Sequence, residues 1–249
     1  MGCQWSDGSI NQTQMDTDAE WGYVGDVGPS HWAELSQEFC ACGGSHQSPI
    51  DLPRREATEG TIDLDIRYEK AKGRLSYKSY GVQMTLNGGR LRLNGESYRL
   101  VQFHFHTPSE HRLGGEAFPG ELHLVHVGDD GHIVVLGIFM ADGDTHSGLS
   151  PIWSAFPTVE AAPPFPFDPA VLLPDRREVY VYEGSLTTPP CTEDVTWLVM
   201  KQPTYLSNVQ IENLTAVHAE TNIHNNRPVQ PLNDREVSFL HPVRNPHSC

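Results

Sequence analysis

The sequence predicts a predominantly β protein, and three observations lead to that class. Short runs with strand character follow one another from residue 61 onward, and many are separated by turns that contain Gly or Asp. Helical periodicity is clear in one segment only, at 207–221. The 249 residues, 38% of them hydrophobic, suffice for one large β-rich domain or two small ones. We favour a single domain with mostly antiparallel strands.

The first sixty residues contain little periodicity, which indicates irregular chain laid over a core, with one short helix at 31–39. Eight segments then predict strands, at 61–68, 81–87, 89–95, 96–106, 120–128, 132–140, 178–186 and 194–203. Gly88-Gly89 and Asp130-Gly131 are typical of hairpin turns, and the second makes its flanking strands neighbours. The proline-rich stretch at 156–169 predicts a surface connection rather than a domain linker.

Composition argues against several classes of function. The formal net charge of −15, from 32 acidic and 17 basic residues, argues against generic attraction to nucleic acid or to an anionic membrane. No apolar run approaches the roughly 20 residues that a membrane span needs, and the N-terminus lacks the apolar core of a signal peptide. The five cysteines are too scattered for a four-thiolate zinc site. Sequons at Asn11 and Asn213 favour an oxidising compartment only slightly.

The segment "LVQFHFHTPSEH" alternates aromatic rings with imidazoles. Side chains two apart on a strand share a face, so His104 and His106 project together while Phe103 and Phe105 project to the other side. His123 has the same alternation in "GELHLVH" and can join them if its strand is adjacent. Three imidazoles without thiolates suit Zn²⁺ with one coordination position open, the catalytic pattern.

The alternative is chance, because 13 histidines make such alternation easy to obtain. His126 lies on the opposite face from His123, so we expect it to pack or to form hydrogen bonds. His111 and the remaining histidines are expected to be surface or structural residues.

Several blocks resemble the α-class carbonic anhydrases and occur in that family's order. They are "EWGYVGDVGPSHW", "HQSPIDL", "QFHFH", "SEH", "GELHLVH", "VVLGIF", "YEGSLTTPPCTEDVTWLV" and "NNRPVQPLNDR". The resemblance covers about residues 21–235. It implies a single domain with a large, mostly antiparallel, twisted central sheet and a few short peripheral helices. It also divides the chain into an N-terminal extension, 1–20, and a catalytic domain, 21–249.

The resemblance makes His104, His106 and His123 the zinc ligands. Gln102, Glu121 and the backbone carbonyl of Asn225 would anchor their rings. This is physically reasonable, because a ligand histidine needs its other nitrogen held.

Thr187 matches the threonine that accepts a hydrogen bond from zinc-bound hydroxide, and Glu110 matches the carboxylate that takes the threonine's proton. The resemblance also implies a cavity wall for CO₂ formed by Val125, Val135, Leu186, Thr188, Val195 and Trp197. For the apolar members of that wall the alternative is plain core packing.

The chain departs from the family at the proton shuttle, where Tyr80 stands at the position of the usual histidine. A phenol with a pKa near 10 is a poor relay at neutral pH. Cys42 and Cys191 match the disulfide of secreted members, which implies a secreted, periplasmic or lumenal protein with its leader removed. Pairing of Cys3 with Cys40 and an unpaired Cys249 are further hypotheses.

The resemblance therefore implies a zinc lyase that interconverts CO₂ and bicarbonate, with weak esterase activity. Sulfonamide and anion inhibitors, no nucleic acid partner, no membrane span and a monomer or dimer are expected. One rival is a non-catalytic relative, although such relatives typically lose zinc histidines. The other is a zinc peptidase, although no "HExxH" helix is present.

Overall fold

The computed structural model describes residues 20–54, 57–155, 163–219 and 224–243. These ranges contain thirteen strands: β1 Asp51–Leu52, β2 Thr58–Tyr68, β3 Ala71–Lys78, β4 Gly81–Leu86, β5 Gly89–Leu93, β6 Glu96–His106, β7 Arg112–Leu113, β8 Gly120–Gly128, β9 Ile133–Asp142, β10 Phe165–Phe167, β11 Val179–Ser185, β12 Glu193–Leu206 and β13 Ser238–Val243. The α-helices are α1 Trp32–Leu35, α2 Ser150–Ser154 and α3 Asn208–Ala219, and 3-10 turns occur at Gly25–Val27, Gln37–Gly43, Ser147–Leu149 and Pro169–Leu172. No helix in these ranges is long and apolar enough to cross a membrane.

Eleven of these strands form one central sheet, in the order β10-β3-β4-β6-β5-β2-β13-β11-β12-β9-β8, and β6 also pairs with β8. The β9–β12 and β2–β13 pairings are parallel, and the others in this sheet are antiparallel. The prediction of a mainly β protein with a large, mostly antiparallel sheet and few helices is confirmed. The β6–β8 pairing matters most for function, because it joins the two histidine-bearing strands.

The two faces of β6 have different roles. Leu100, Phe103 and Phe105 are fully buried in the main hydrophobic core, which Ile152 of α2 and Leu214 of α3 also enter. Removing such side chains from water is the main stabilising contribution to the fold. A register shift between Leu100 and Gln102 marks an irregularity in the pairing with β8. Beyond it, the histidines occupy the face opposite the phenylalanines.

The prediction of a hairpin at Gly88-Gly89 is wrong. β4 and β5 do not pair with each other, because each pairs with β6. Gly89 has φ +114°, and a Cβ there would lie 2.3 Å from the Arg67 carbonyl oxygen on β2. The glycine therefore allows a close approach to β2 at a bend instead of closing a two-strand turn. The Asp130-Gly131 turn does join neighbours, since β8 pairs with β9.

Some elements differ from the expected helix and strand pattern. The predicted helix at 31–39 ends early, because Ser36 is extended (φ −154°) and its side chain accepts a hydrogen bond from the backbone N–H of Glu38, starting a separate 3-10 segment. The strands β3 and β13 were not predicted, and the proline-rich connection contains the short strand β10. β3 contains Gly and alternating charges, which weaken its strand signal.

Candidate functional site

The strand pairing brings three imidazoles together in one buried cluster. His104 on β6 lies directly opposite His123 on β8, and His106 is two residues further along the same face. The ring centroids are 5.0 Å apart for His104–His106, 5.2 Å for His104–His123 and 4.6 Å for His106–His123. One nitrogen from each ring lies within 4.8 Å of the others, a spacing that can hold a metal ion. The exposed fractions are 7%, 0% and 1%.

Each ring has its second nitrogen held by a hydrogen bond. His104 Nδ1 lies 2.8 Å from Gln102 Oε1, His106 Nδ1 lies 2.6 Å from the Asn225 carbonyl oxygen, and His123 Nε2 lies 3.0 Å from Glu121 Oε1. These contacts leave Nε2 of His104, Nε2 of His106 and Nδ1 of His123 to point inward. Anchoring of this kind sets the tautomer and orientation of a metal-binding imidazole.

The buried nitrogens fit a zinc ion. His106 Nε2 is buried and has no hydrogen-bond partner among the described residues, and burying a polar atom in that way is costly unless something binds it. Burial, with the neighbouring His123 and His104, lowers the pKa of His106 well below its usual value. This shift favours the neutral ring, which is the form that binds a metal. Three imidazole nitrogens without thiolates suit zinc among the common protein metals.

Glu121 is held by more groups than sequence reasoning anticipated. Its Oε1 lies 2.7 Å from His111 Nδ1 as well as 3.0 Å from His123 Nε2, and its Oε2 accepts hydrogen bonds from the backbone N–H groups of Glu110 and His111. Burial alone would raise the pKa of Glu121, but His111 and His123 outweigh it and hold that pKa well below its usual value. The ionised carboxylate thus fixes the His123 ring.

His111 was expected to be a surface or structural residue and lies fully buried beside the histidine cluster. Its Nε2 is 2.7 Å from the hydroxyl oxygen of Tyr182, which in turn lies 2.8 Å from the hydroxyl oxygen of Ser48. His111 thus links Glu121 to a buried hydroxyl chain. Strand alternation could not have found it, because His111 lies between β6 and β7.

Glu110 and Thr187 meet beside the histidines. The Thr187 side chain is hydrogen-bonded to Glu110, and Glu110 Oε1 accepts the backbone N–H of Arg227 at 2.7 Å. Glu110 Oε2 lies 3.5 Å from His106 Nε2 and 3.8 Å from His123 Nδ1. Burial raises the pKa of Glu110 well above its usual value, although the bonds from Arg227 and Thr187 oppose that rise. A cation held by the histidines would oppose the rise as well.

A cavity opens on this cluster, and its lining combines apolar and polar side chains. Val125, Val135, Leu186 and Trp197 are the apolar ones, and the remaining lining residues are Tyr80, Gln102, His104, His123, Thr187 and Thr188. Val195, expected in the wall, is 1% exposed and packs in the cluster that contains Val135 and Trp197. The cavity therefore offers apolar surface next to the candidate metal ligands.

Tyr80 lines the cavity but is only 8% exposed. Its ring packs edge-on against His104 at a centroid distance of 5.2 Å, and its hydroxyl donates to Gln83 Oε1. Gln83 Nε2 donates in turn to Thr85 Oγ1 at 2.8 Å. The phenol is thus held in a fixed hydrogen bond within the wall.

A disulfide joins Cys42 to Cys191 across a sequence separation of 149 residues. The backbone N–H of Cys191 donates to the Thr188 carbonyl oxygen at 2.8 Å, and Arg227 Nη2 donates to the Cys42 carbonyl oxygen at 2.9 Å. The loop carrying Thr187 is therefore tied to the N-terminal part of the fold. The hypotheses about Cys3, Cys249 and Asn11 concern residues outside the described ranges.

His126 lies on the opposite face from His123, among the core side chains. Its Nε2 is 2.7 Å from the Tyr68 hydroxyl oxygen and its Nδ1 is 3.2 Å from the Val134 carbonyl oxygen. Burial lowers the pKa of His126 to about 4. The expectation of a packing role agrees with this position.

We expect His126 to make the fold less stable as the pH falls. An unfolded chain protonates this histidine near pH 6.5, whereas the folded chain resists protonation down to about pH 4. Its contribution to unfolding free energy should fall by about 2.5 kcal/mol between pH 7.5 and pH 4.5. Urea unfolding of the wild type and of His126→Gln at both pH values measures this. Identical pH dependence in the two proteins would show that His126 is not responsible.

Comparison with known proteins gives one consistent result. Residues 27–241 match the model of the family described as eukaryotic-type carbonic anhydrase. A carbonic anhydrase of Neisseria gonorrhoeae is 40% identical over 224 residues, covering 87% of this chain and 86% of that protein. A carbonic anhydrase of Nostoc sp. is 39% identical, covering 87% and 84%.

A solved structure agrees with these sequence matches. The α-carbonic anhydrase of Thermovibrio ammonificans, in complex with the inhibitor sulfanilamide, is 38% identical and superposes with a TM-score of 0.82, covering 89% of this chain and all of that one. The likeness therefore extends to the sequence as well as to the fold.

Proposed function

Because the chain belongs to the eukaryotic-type, or α-class, carbonic anhydrase family, we propose that its three clustered histidines hold the zinc ion that this family uses to hydrate carbon dioxide reversibly to bicarbonate. One observation carries the assignment of His104, His106 and His123 as ligands. Their three inward nitrogens lie within 4.8 Å of one another while every outward nitrogen is hydrogen-bonded. Such a set binds through three nitrogens and leaves one position for water or substrate.

When bound at such a site, zinc lowers the pKa of its water to about 7, a value established for carbonic anhydrases themselves. The protein's part is to orient the attacking oxygen. The Thr187 hydroxyl has one proton, and it donates that proton to Glu110, so its oxygen can only accept a hydrogen bond from the nucleophile. This direction aims a lone pair of the nucleophile at the substrate carbon.

Arg227 keeps that arrangement in place. Its backbone N–H holds Glu110 Oε1, and its guanidinium donates to Gln47 Oε1 and to the Ser48 carbonyl oxygen, both at 2.8 Å. Glu110 is therefore fixed through Oε1, and its Oε2 lies beside the histidine nitrogens. We propose that Arg227 is a positioning residue for the Glu110–Thr187 pair.

The apolar side chains of the cavity lining suit carbon dioxide, which is small and has no net dipole. Val125, Val135, Leu186 and Trp197 lie next to the polar groups that would orient the nucleophile. The same open position would accept small anions and a deprotonated sulfonamide, the inhibitor class bound to the Thermovibrio enzyme. Weak hydrolysis of activated esters by the same nucleophile is part of this proposal.

The proposal is tested by metal analysis together with a CO₂ hydration assay on the purified chain. We expect about one zinc per chain, hydration that a chelator removes and zinc restores, and inhibition by sulfanilamide. Zinc-free protein that is active, or zinc-loaded protein without hydration activity, would contradict it.

We further propose that this chain lacks a built-in histidine proton shuttle. The Tyr80 phenol occupies the shuttle position, is nearly buried and donates its hydrogen bond to Gln83. A phenol with an ordinary pKa near 10 neither takes up nor releases a proton readily at pH 7. Proton loss to solvent therefore depends on buffer molecules that enter the cavity.

Turnover should accordingly rise with imidazole concentration when other buffer is scarce. Tyr80→His should raise kcat at low buffer by at least about tenfold, because an imidazole near pKa 6.5 is matched to proton transfer at neutral pH. Stopped-flow hydration at imidazole concentrations from about 1 to about 50 mM measures both effects. A flat buffer response in the wild type would show that another internal group carries the proton.

The Cys42–Cys191 disulfide supports a location in an oxidising compartment. We propose that the protein acts outside the reducing cytoplasm, in a secreted, periplasmic or lumenal setting, with 21–249 as its catalytic domain.

A further inference from the structure

Positive charge is concentrated in one part of this acidic chain. Residues 67–99 contain eight of the 17 basic residues and two of the 32 acidic ones, although the whole chain has a net charge of −15. The segment runs from the end of β2 through β3, β4 and β5 to the first residues of β6. Uneven distribution of charge creates a local potential opposite to that of the rest of the surface.

Three of these basic residues form a row across adjacent strands. Arg67 on β2 lies opposite Arg90 on β5, and Arg90 lies opposite Arg99 on β6. Directly opposed residues project from the same face of a sheet, and all three side chains are exposed. We call Arg67, Arg90 and Arg99 the arginine row.

The row is not explained by ion pairing. Arg67 Nε contacts Asp65 Oδ2 at 2.6 Å, but neither Arg90 nor Arg99 has a carboxylate within 4.0 Å among the described residues. Like charges directly opposite each other destabilise a sheet. In the next row along the same three strands, Asp65 lies opposite Arg92 and Arg92 lies opposite Ser97. That row does not place like charges opposite each other, whereas the arginine row does.

The arginine row lies on the same side of the sheet as the histidine cluster. Leu100, Phe103 and Phe105 project into the core, so Arg99 shares the other face with His104 across the irregularity at Leu100 and Gln102. Arg99 also lies opposite Val127 on β8, two residues from the cavity-lining Val125. A ligand on the row would therefore lie on the cavity side of the sheet.

We propose that the arginine row is a binding site for an acidic polysaccharide whose successive carboxylates pair with the successive guanidinium groups. Adjacent strands are about 4.8 Å apart, so the row spans about 10 Å with even spacing. That spacing is comparable to the length of one sugar unit along a glycan. Planar guanidinium groups bind carboxylates through two parallel hydrogen bonds, which lysines cannot do.

Other polyanions fit the surface less well. Duplex DNA carries one charge per about 1.7 Å, a density that does not match the roughly 4.8 Å spacing of the arginine row. Single-stranded nucleic acid needs aromatic faces for stacking, whereas the neighbouring row presents Asp65, Arg92 and Ser97. A membrane surface needs exposed apolar anchors, and the exposed large apolar side chains of the described residues lie outside β2, β5 and β6.

Binding to polygalacturonate, which carries one carboxylate per sugar, tests the proposal. The variant R90Q/R99Q removes two charges from the row, and K72Q/R74Q removes two exposed charges from β3 as a matched control. We expect the row variant to raise the Kd about tenfold, as loss of one or two charge-assisted hydrogen bonds does, and the control variant to change it less than about twofold. Unchanged CO₂ hydration in R90Q/R99Q would confirm that the variant is folded.

Three outcomes would overturn the proposal. They are absence of wild-type binding to polygalacturonate, equal losses in the two variants, and tighter binding to a single-stranded oligonucleotide or to phosphatidylserine vesicles than to polygalacturonate. Single variants R90Q and R99Q provide the same comparison if the double variant does not fold.

Discussion

His104→Ala is expected to lose most of its zinc and nearly all of its CO₂ hydration activity. His104 supplies one of the three inward nitrogens. Its ring is held by Gln102 and takes no part in the Glu121 hydrogen bonds, so the substitution leaves those bonds in place. Two nitrogens hold zinc poorly, and without the metal the pKa of the attacking water rises to that of bulk water, so little hydroxide exists at neutral pH. We expect kcat/KM to fall by at least about 1000-fold.

The measurement pairs metal analysis with stopped-flow hydration, and His46→Ala is the matched control. His46 has a side chain that is 44% exposed and lies 3.5 Å from Asp234, and it belongs neither to the histidine cluster nor to the cavity lining. That control should keep full zinc content and activity. A His104→Ala protein that retains stoichiometric zinc and activity within about tenfold of the wild type would remove His104 from the ligand set.

Thr187→Val is expected to lower kcat/KM by about 100-fold while zinc binding stays intact. Valine preserves the shape of the side chain but removes the hydroxyl that donates to Glu110 and that would accept from the nucleophile. Loss of orientation at a reacting atom has an effect of about this size. Equal zinc content in the variant and the wild type separates orientation from metal loss.

A double-mutant cycle with Glu110→Gln distinguishes a coupled pair from two independent contacts. If Glu110 acts through the Thr187 hydroxyl, the kcat/KM of the double variant should be about the same as that of the less active single variant. If the two losses multiply, Glu110 contributes separately, for example by its position 3.5 Å from His106 Nε2. Multiplying effects would therefore contradict the orientation mechanism.

Local sequence patterns predicted the histidine-bearing strands well. The β6 and β8 segments were predicted at the bounds observed, because period-two alternation over nine or eleven residues is a strong signal. The same alternation predicted that His104 and His106 share a face while Phe103 and Phe105 enter the core. It also separated His126 from His123. β3 was missed because its Gly and alternating charges weaken the strand signal. The true partners of β4 and β5 were missed because local patterns carry no information about which strands pair.

The contacts that complete the site come from distant parts of the chain. Asn225 reaches His106 across 119 residues, and Thr187 reaches Glu110 from the loop before β12. Family resemblance suggested both pairs, but no spacing in the sequence implies either. His111 was placed among surface or structural residues, because its burial depends on Glu121 and Tyr182 closing around it.

The sequence by itself determined the β class, the alternation that sorts imidazoles from phenyl rings on β6, and the absence of thiolates near the candidate metal ligands. These properties depend on residues that are neighbours along the chain, because successive side chains of a strand project to opposite faces of the sheet. Only the tertiary structure decided that β6 pairs with β8, that Glu110 bonds Thr187, that Tyr80 is bonded to Gln83, and that Arg67, Arg90 and Arg99 line up. Those facts depend on strand register and loop closure, which follow from the burial of the whole core.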